Sequence, residues 1–171
     1  TKNIKLIKEG SICGVDSNIY KPDKLFREYQ RKIYKIHKNE IIILFLGRIH
    51  ADKGVFNLYE VCKKLYENNL PIKIFYVGDI EDDYFYKIKN KDKNNLNIIR
   101  YFKFTNSPEK YLKISDIFCL PSLREGFGLS VIEASSCEIP VLGSNIVGLK
   151  DFINSIGLLY VSKFTIEKEY F

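Results

Sequence analysis

Ile41-Ile42-Ile43-Leu44-Phe45-Leu46-Gly47 is an unbroken apolar run ended by a glycine. It is too short for a core helix and has no polar alternation, so it reads as a strand buried on both faces. A helical pattern follows from Lys53 to Asn68, which makes the pair the opening of a strand–helix–strand unit. Upstream, Leu25, Phe26, Tyr29, Ile33 and Ile36 recur at helical spacing, predicting a helix within residues 23–37.

Downstream the alternation continues: strand Ile72–Val77, helix Glu81–Lys91, strand Leu96–Tyr101, helix Pro108–Ile114 and strand Asp116–Leu120. A helix from Gly128, a strand Pro140–Gly143, a short helix near Leu149–Asn154 and a strand Gly157–Val161 complete it. Apolar strands separated by helices predict an α/β fold, a Rossmann-like parallel sheet with helices on both faces. Ligands of such sheets bind beyond the carboxyl ends of the strands.

Residues 1–22 carry Gly10, Gly14 and Pro22 around Gly14-Val15-Asp16-Ser17-Asn18-Ile19-Tyr20-Lys21-Pro22 and read as turns, an interdomain connection ahead of one compact domain over 23–171. The chain contains no methionine, which suggests a piece of a longer protein. At 171 residues, 46% of them hydrophobic, it is long enough for one full core. No run of 18 or more apolar residues is present, and the expectation is a cytoplasmic protein. Cys13, Cys62, Cys119 and Cys137 form no C-x-x-C pair and read as reduced core thiols. The two histidines, His37 and His50, lie in unrelated segments, so no structural metal is expected.

The net charge of +6 is spread along the chain among acids and asparagines, which argues for solvation rather than nucleic acid. Its densest run, Lys87 to Lys93, ends a predicted helix whose first turn holds Glu81, Asp82 and Asp83, an order that suits the helix dipole. A basic face also suits an anionic membrane surface or a phosphate-bearing substrate.

The chemistry concentrates in Glu125-Gly126-Phe127-Gly128-Leu129-Ser130-Val131-Ile132-Glu133. Glycines let backbone approach a ligand closely, and the N–H groups of a new helix turn toward any phosphate there. Glu133 sits roughly 7 Å further along the helix axis. Two carboxylates could then accept from two sets of hydroxyls with a phosphate between them. Gly47-Arg48-Ile49-His50-Ala51-Asp52-Lys53-Gly54 follows the first strand, offering a guanidinium fork and a point charge on the same rim. His50 reads as a loop residue. The loop Gly78-Asp79-Ile80-Glu81-Asp82-Asp83 has no G-x-G-x-x-G fingerprint, and its acids should repel a phosphate. The sequence also lacks a P-loop, a G-x-S-x-G elbow and an H-E-x-x-H pair.

These residues resemble the GT-B glycosyltransferases of family 4, also called glycosyltransferases group 1, over most of the chain. The likeness rests on Gly14-Val15-Asp16 with Tyr20 and Pro22, Gly47-Arg48 with Lys53-Gly54, Ser115-Asp116-Ile117-Phe118 leading to Pro121-Ser122, Glu125-Gly126-Phe127-Gly128 with Glu133-Ala134, Pro140-Val141, and Gly148. It implies the C-terminal, donor-binding half of a two-domain enzyme whose N-terminal acceptor-binding half is not in this chain. By that likeness a nucleotide-diphosphate sugar, with a UDP-sugar first among candidates, lies between the halves as co-substrate, and no cofactor is needed. Arg48 and Lys53 would hold the departing diphosphate, Glu125 the sugar hydroxyls and Glu133 the ribose, with Gly47, Gly126, Phe127, Gly128 and Leu129 presenting backbone to the donor. The family transfers sugar with retention, commonly without a metal; two cations and a helix N-terminus can neutralise the leaving group. The implied acceptor is a glycan or lipid-linked molecule, with peripheral contact at the inner face of a membrane, in polysaccharide or glycoconjugate biosynthesis.

Three departures stand out. Lys103-Phe104 replaces a usual glycine near the expected base pocket, leaving Phe104 as the donor-side residue there. Ile80 replaces the second glycine of a G-D-G turn, and Glu138 a glycine that usually ends the Glu133 helix. Transfer from this piece alone should be weak or absent. Alternatives are a non-catalytic nucleotide-sugar-binding module and a sugar-nucleotide epimerase or a phosphorylase on the same architecture.

Overall fold

The computed structural model describes residues 14–149 and the backbone of residues 160 and 161. Helix α1 (Lys24–Ile33) precedes strand β1 (Ile41–Leu46), followed by α2 (Val55–Glu67), β2 (Ile72–Val77), α3 (Tyr84–Asn95), β3 (Ile99–Phe102), α4 (Glu109–Leu112), β4 (Ile117–Leu120), α5 (Leu129–Ser136), β5 (Val141–Ser144) and β6 (Tyr160–Val161). The strands form one sheet in the order β3-β2-β1-β4-β5-β6, and every pairing is parallel. Cys13, the predicted helix near 149–154 and the first residues of the predicted last strand lie outside the described residues.

Continuous apolar runs dictate the centre of this sheet. In β1 only Ile41 is partly exposed, because β2 and β4 flank the strand and both faces are covered. Helix α2 buries Val55, Leu58, Tyr59 and Cys62, one helical stripe. Burial pushes the Cys62 thiol up to about 12 and that of Cys137 up to about 11, so these cysteines stay protonated, as reduced core residues should.

Several boundaries differ from the sequence expectation. Strand β3 begins at Ile99 rather than Leu96, because the buried Asp92 carboxylate accepts from the Ile98 and Ile99 N–H groups and Asn97 turns left-handed at φ 52°. The predicted helix at Pro108–Ile114 is a single turn. Helix α3 starts at Tyr84, so Glu81, Asp82 and Asp83 precede it rather than fill its first turn, and the Asp82 carboxylate accepts from the Tyr84 N–H at 2.8 Å.

Helix α1 departs most from its pattern. Leu25, Tyr29 and Ile33 are 81%, 64% and 53% exposed, whereas Phe26 packs against the core and Ile36, beyond the helix end, is buried in it, so only part of the apolar pattern faces inward. Its polar side docks as well. Arg27 and Arg31 reach the Asp116 carboxylate at 2.5 and 3.0 Å, and Asp116 also accepts from the Ile42 N–H at 2.8 Å. Arg27 and Arg31 further donate to the Ser115 and Ile114 carbonyls, so one carboxylate and the turn before β4 fix the helix to the first and fourth strands.

At the end of α5, Glu138 takes φ 57°, the left-handed position where glycine carries no steric penalty. Its N–H still caps the helix by donating to the Ser135 carbonyl at 2.9 Å. Glu138→Gly should therefore raise unfolding stability by about 1 kcal/mol in a denaturant titration; a loss of similar size would mean that the glutamate side chain holds the turn.

Candidate functional site

The strands adjacent at the middle of the sheet, β1 and β4, send their following loops to the same carboxyl-end rim, and a cleft of about 620 Å³ opens there. Gly47, Arg48, Lys53, Phe104, Glu125, Gly128, Leu129 and Glu133 line it. Among the expected residues Gly126 and Phe127 do not; Phe127 is 40% exposed, on the outside of the turn.

Two close approaches build the rim. The Leu123 N–H donates to the Asp52 carbonyl at 2.8 Å, stitching the loop after β4 to the loop after β1. Gly54, at φ 67°, lies so near the Pro121 carbonyl that a Cβ would stand 2.1 Å from that oxygen. Helix α5 then begins behind Gly128 with no side chain capping its N-terminus, while Leu129 and Ser130 of its first turn border the cleft.

Both cations of the rim are already paired. Lys53 Nζ donates to Glu125 Oε1 at 2.9 Å and to the Arg124 carbonyl at 3.0 Å, and the same Glu125 oxygen accepts from Ser122 Oγ at 2.8 Å. Arg48, 53% exposed, meets Glu81 at 2.5 Å and Asp52 at 3.7 Å. His50 does not line the cleft; its Nδ1 lies 2.7 Å from an Asp52 oxygen. Burial opposes the Asp52 charge, but the His50 hydrogen bond and the nearby cations outweigh it and hold the carboxyl below its ordinary value.

The acidic loop after β2, expected from its charge to repel a phosphate, nonetheless borders the cleft. Gly78, Asp79 and Glu81 line the cleft, and Ile49 and Ile80 form a parallel bridge that zips this loop to the one after β1. The signal was an isoleucine in each of two otherwise polar loops; Ile49 is fully buried. Glu81 supplies the partner of Arg48, so its charge neutralises a cation as well as opposing an anion. Thr105 and Pro108 also border the cleft beside Phe104, which is 65% exposed; nothing in their local pattern marks them.

Glu133 is half-buried at the cleft, and its surroundings act on its charge. Burial raises the Glu133 carboxyl above its ordinary value, Tyr20 works in the opposite direction, and Glu109 adds to the rise. Among the described residues no group of three or more His, Cys, Asp or Glu side chains converges to hold a metal ion, and no helix is long and apolar enough to cross a membrane.

A carboxyl whose folded pKa is raised works against folding when ionised, and that penalty fades as pH falls through the folded value. Glu133→Gln should therefore unfold at the same or a higher temperature than the parent at pH 7, with the gap closing toward acid pH. A variant less stable at neutral pH by more than about 1 kcal/mol would mean that the carboxylate is a structural support.

The cleft, the uncapped helix and the paired cations sit on a fold found in known enzymes. The chain is 32% identical over 139 residues to an Escherichia coli UDP-Gal:alpha-D-GlcNAc-diphosphoundecaprenol alpha-1,3-galactosyltransferase, covering 79% of this chain and 36% of that protein. Anabaena HepE in complex with UDP and glucose superposes with a TM-score of 0.72 at 21% identity, over 81% of this chain and 38% of that one. The C-terminal domain of a Francisella tularensis glycosyl transferase group 1 protein, LpcC, gives 0.68 at 24% identity, over 79% of this chain and 72% of that domain. The chain thus spans well under half the length of the first two relatives and most of the isolated domain. Residues 26–168 match the family described as glycosyl transferases group 1, and the chain belongs to that family.

Proposed function

We propose that this chain is the donor-binding, C-terminal half of a retaining glycosyltransferase that moves a hexose from a UDP-sugar to a glycan or lipid-linked acceptor. One observation carries the reading: the cleft between the loops after β1 and β4 gathers the cations Arg48 and Lys53, the carboxylates Glu125 and Glu133 with Asp79 and Glu81 beside them, and an uncapped helix N-terminus. The relatives support it by what their names state, a UDP-galactose donor and a diphosphate-linked lipid acceptor in one, bound UDP and glucose in another. The likeness to an isolated C-terminal domain supports a partner half, N-terminal to residues 14–22, that supplies the acceptor site.

In this reading the diphosphate meets the first turn of α5, where unpaired backbone N–H groups and the helix dipole favour negative charge. Arg48 and Lys53 exchange their carboxylate partners for phosphate oxygens, Glu125 turns to the sugar hydroxyls, and Glu133 accepts from the ribose. Phe104, exposed at the lip, provides a flat apolar face for the base. Transfer breaks the bond between the anomeric carbon and the diphosphate oxygen and forms one from the acceptor oxygen on the same face; the acceptor hydroxyl proton is released, and the nucleoside diphosphate departs with its charge neutralised. A lipid-linked acceptor would bring the whole protein to the inner face of a membrane.

Calorimetric titration tests the assignment. UDP should bind saturably; Glu133→Ala should weaken UDP and uridine alike, by about tenfold or more. The double variant Arg48→Ala with Lys53→Ala should weaken UDP more than uridine. Equal losses for the two ligands in the double variant would contradict the phosphate role.

A further inference from the structure

Gly148 is among the residues that carry the family likeness, yet it does not line the cleft. It belongs to the loop that follows β5, residues 145–149. Strand β5 pairs with β4 in parallel, Phe118 opposite Val141 and Leu120 opposite Gly143, so this loop leaves the sheet at the same rim as the loop carrying Glu125. It turns back at once: the Ile146 N–H donates to the Ser144 carbonyl at 2.9 Å and the Leu149 N–H to the Ile146 carbonyl at 3.2 Å.

Two contacts then join it to the turn at residues 125–128. Gly148 takes φ 93°, and a Cβ there would stand 2.5 Å from the carbonyl oxygens of both Glu125 and Gly126. Those are backbone atoms, so no change of rotamer could make room for a side chain. At the other end of the turn the fully buried Leu149 side chain fills the space beneath Gly128, where a Cβ would stand 2.3 Å from Leu149 Cδ2. A Cβ on Gly126, between them, would meet nothing within 4 Å, so the contact is made at the two ends of the turn. Through Glu125 the same turn is tied to Lys53 of the loop after β1, at 2.9 Å.

We infer that Gly148 and Leu149 are positioning residues for the donor sugar, and that the loop after β5 sets where the Glu125 carboxylate and the start of α5 stand in the cleft. The inference rests on the proposed roles of Glu125 and α5. Its physical logic is distance. A methyl group at position 148 must push the Glu125 and Gly126 carbonyls outward to reach an ordinary van der Waals contact. The Glu125 carboxylate moves with its backbone, away from Lys53 and from the sugar, and small misplacements of a positioning group are costly. Glu133 stands more than one helical turn further along α5 and Phe104 on a different loop, so the ribose and base keep their contacts. The loss therefore falls on the sugar first, the diphosphate second and the nucleoside least, a gradation that a general loosening of the fold would not produce. Leu149→Ala leaves the turn unsupported rather than pushed, and Leu149→Met refills the space.

The test compares the full chain as parent with Gly148→Ala, Leu149→Ala, Leu149→Met and the control Val147→Ala, a position 91% exposed on the same loop. UDP-glucose, UDP-galactose, UDP and uridine are titrated into each, and amide nitrogen relaxation is measured without ligand. Expected in Gly148→Ala and Leu149→Ala are about tenfold weaker binding of the UDP-sugar that the parent prefers, about threefold weaker UDP and unchanged uridine. Leu149→Met and Val147→Ala should match the parent. In the ligand-free chain Leu149→Ala should lower the amide order at residues 126–130, and Leu149→Met should restore it. Equal losses for all the ligands, or an unchanged UDP-sugar affinity in Leu149→Ala, overturn the inference; if Gly148→Ala does not fold, the two Leu149 variants decide it. Should the parent bind no UDP at all, the proposed function fails, and the amide order in Leu149→Ala still shows whether the loop after β5 holds the turn, an unchanged order overturning it.

Discussion

The adjacency of β1 and β4 is the constraint on which the rest of the structure depends. The chain builds outward from β1 through β2 to β3, then returns across the sheet to lay β4 on the other side of β1. Parallel strands whose following connections leave in opposite directions cannot close over one another, so a crevice opens between them. Here the two loops touch at its base, where Leu123 meets the Asp52 carbonyl and Gly54 meets that of Pro121, and diverge above. A side chain at Gly54 would force the loops apart and widen the cleft that their contact defines.

Both cations inside that cleft are paired before any ligand arrives. Lys53 and Glu125 are both largely enclosed, with side chains 14% and 16% exposed, while the Arg48 and Glu81 side chains are 53% and 42% exposed. Exposed pairs are worth little because water screens them, so Arg48 is the cation that can change partner at low cost. Lys53 is better insulated and needs a stronger competitor. In the proposed reading this ordering gives the diphosphate a first contact with Arg48 and makes engagement of Lys53 conditional on Glu125 finding hydroxyls to accept from.

What the sequence disclosed followed from what its patterns can encode. Strands β1 and β2 begin and end where expected, because burial on both faces of β1 leaves no position for a polar residue and β2 admits only Lys73, at its one partly exposed position. The glycines and acids around α5 were legible because close backbone approach and an uncapped helix start demand those residue types in that order. The docking of α1 was not: its apolar spacing predicted the helix, but two arginines and the distant Asp116 hold its polar side to the sheet. The same limit hid Glu81. It pairs with Arg48, and no local periodicity reports a partner 33 positions away.

The central claim is that a nucleoside diphosphate occupies the cleft between the loops after β1 and β4, with its phosphates at the head of α5. Mapping backbone amide shifts of the chain during a UDP titration tests it most directly. The account predicts saturable shifts concentrated at Gly47–Gly54 and Gly126–Glu133, with those of Leu129 and Ser130 among the largest. Shifts confined to the opposite end of the sheet, around Pro22, Lys113 and Pro140, or spread without saturation, would contradict it.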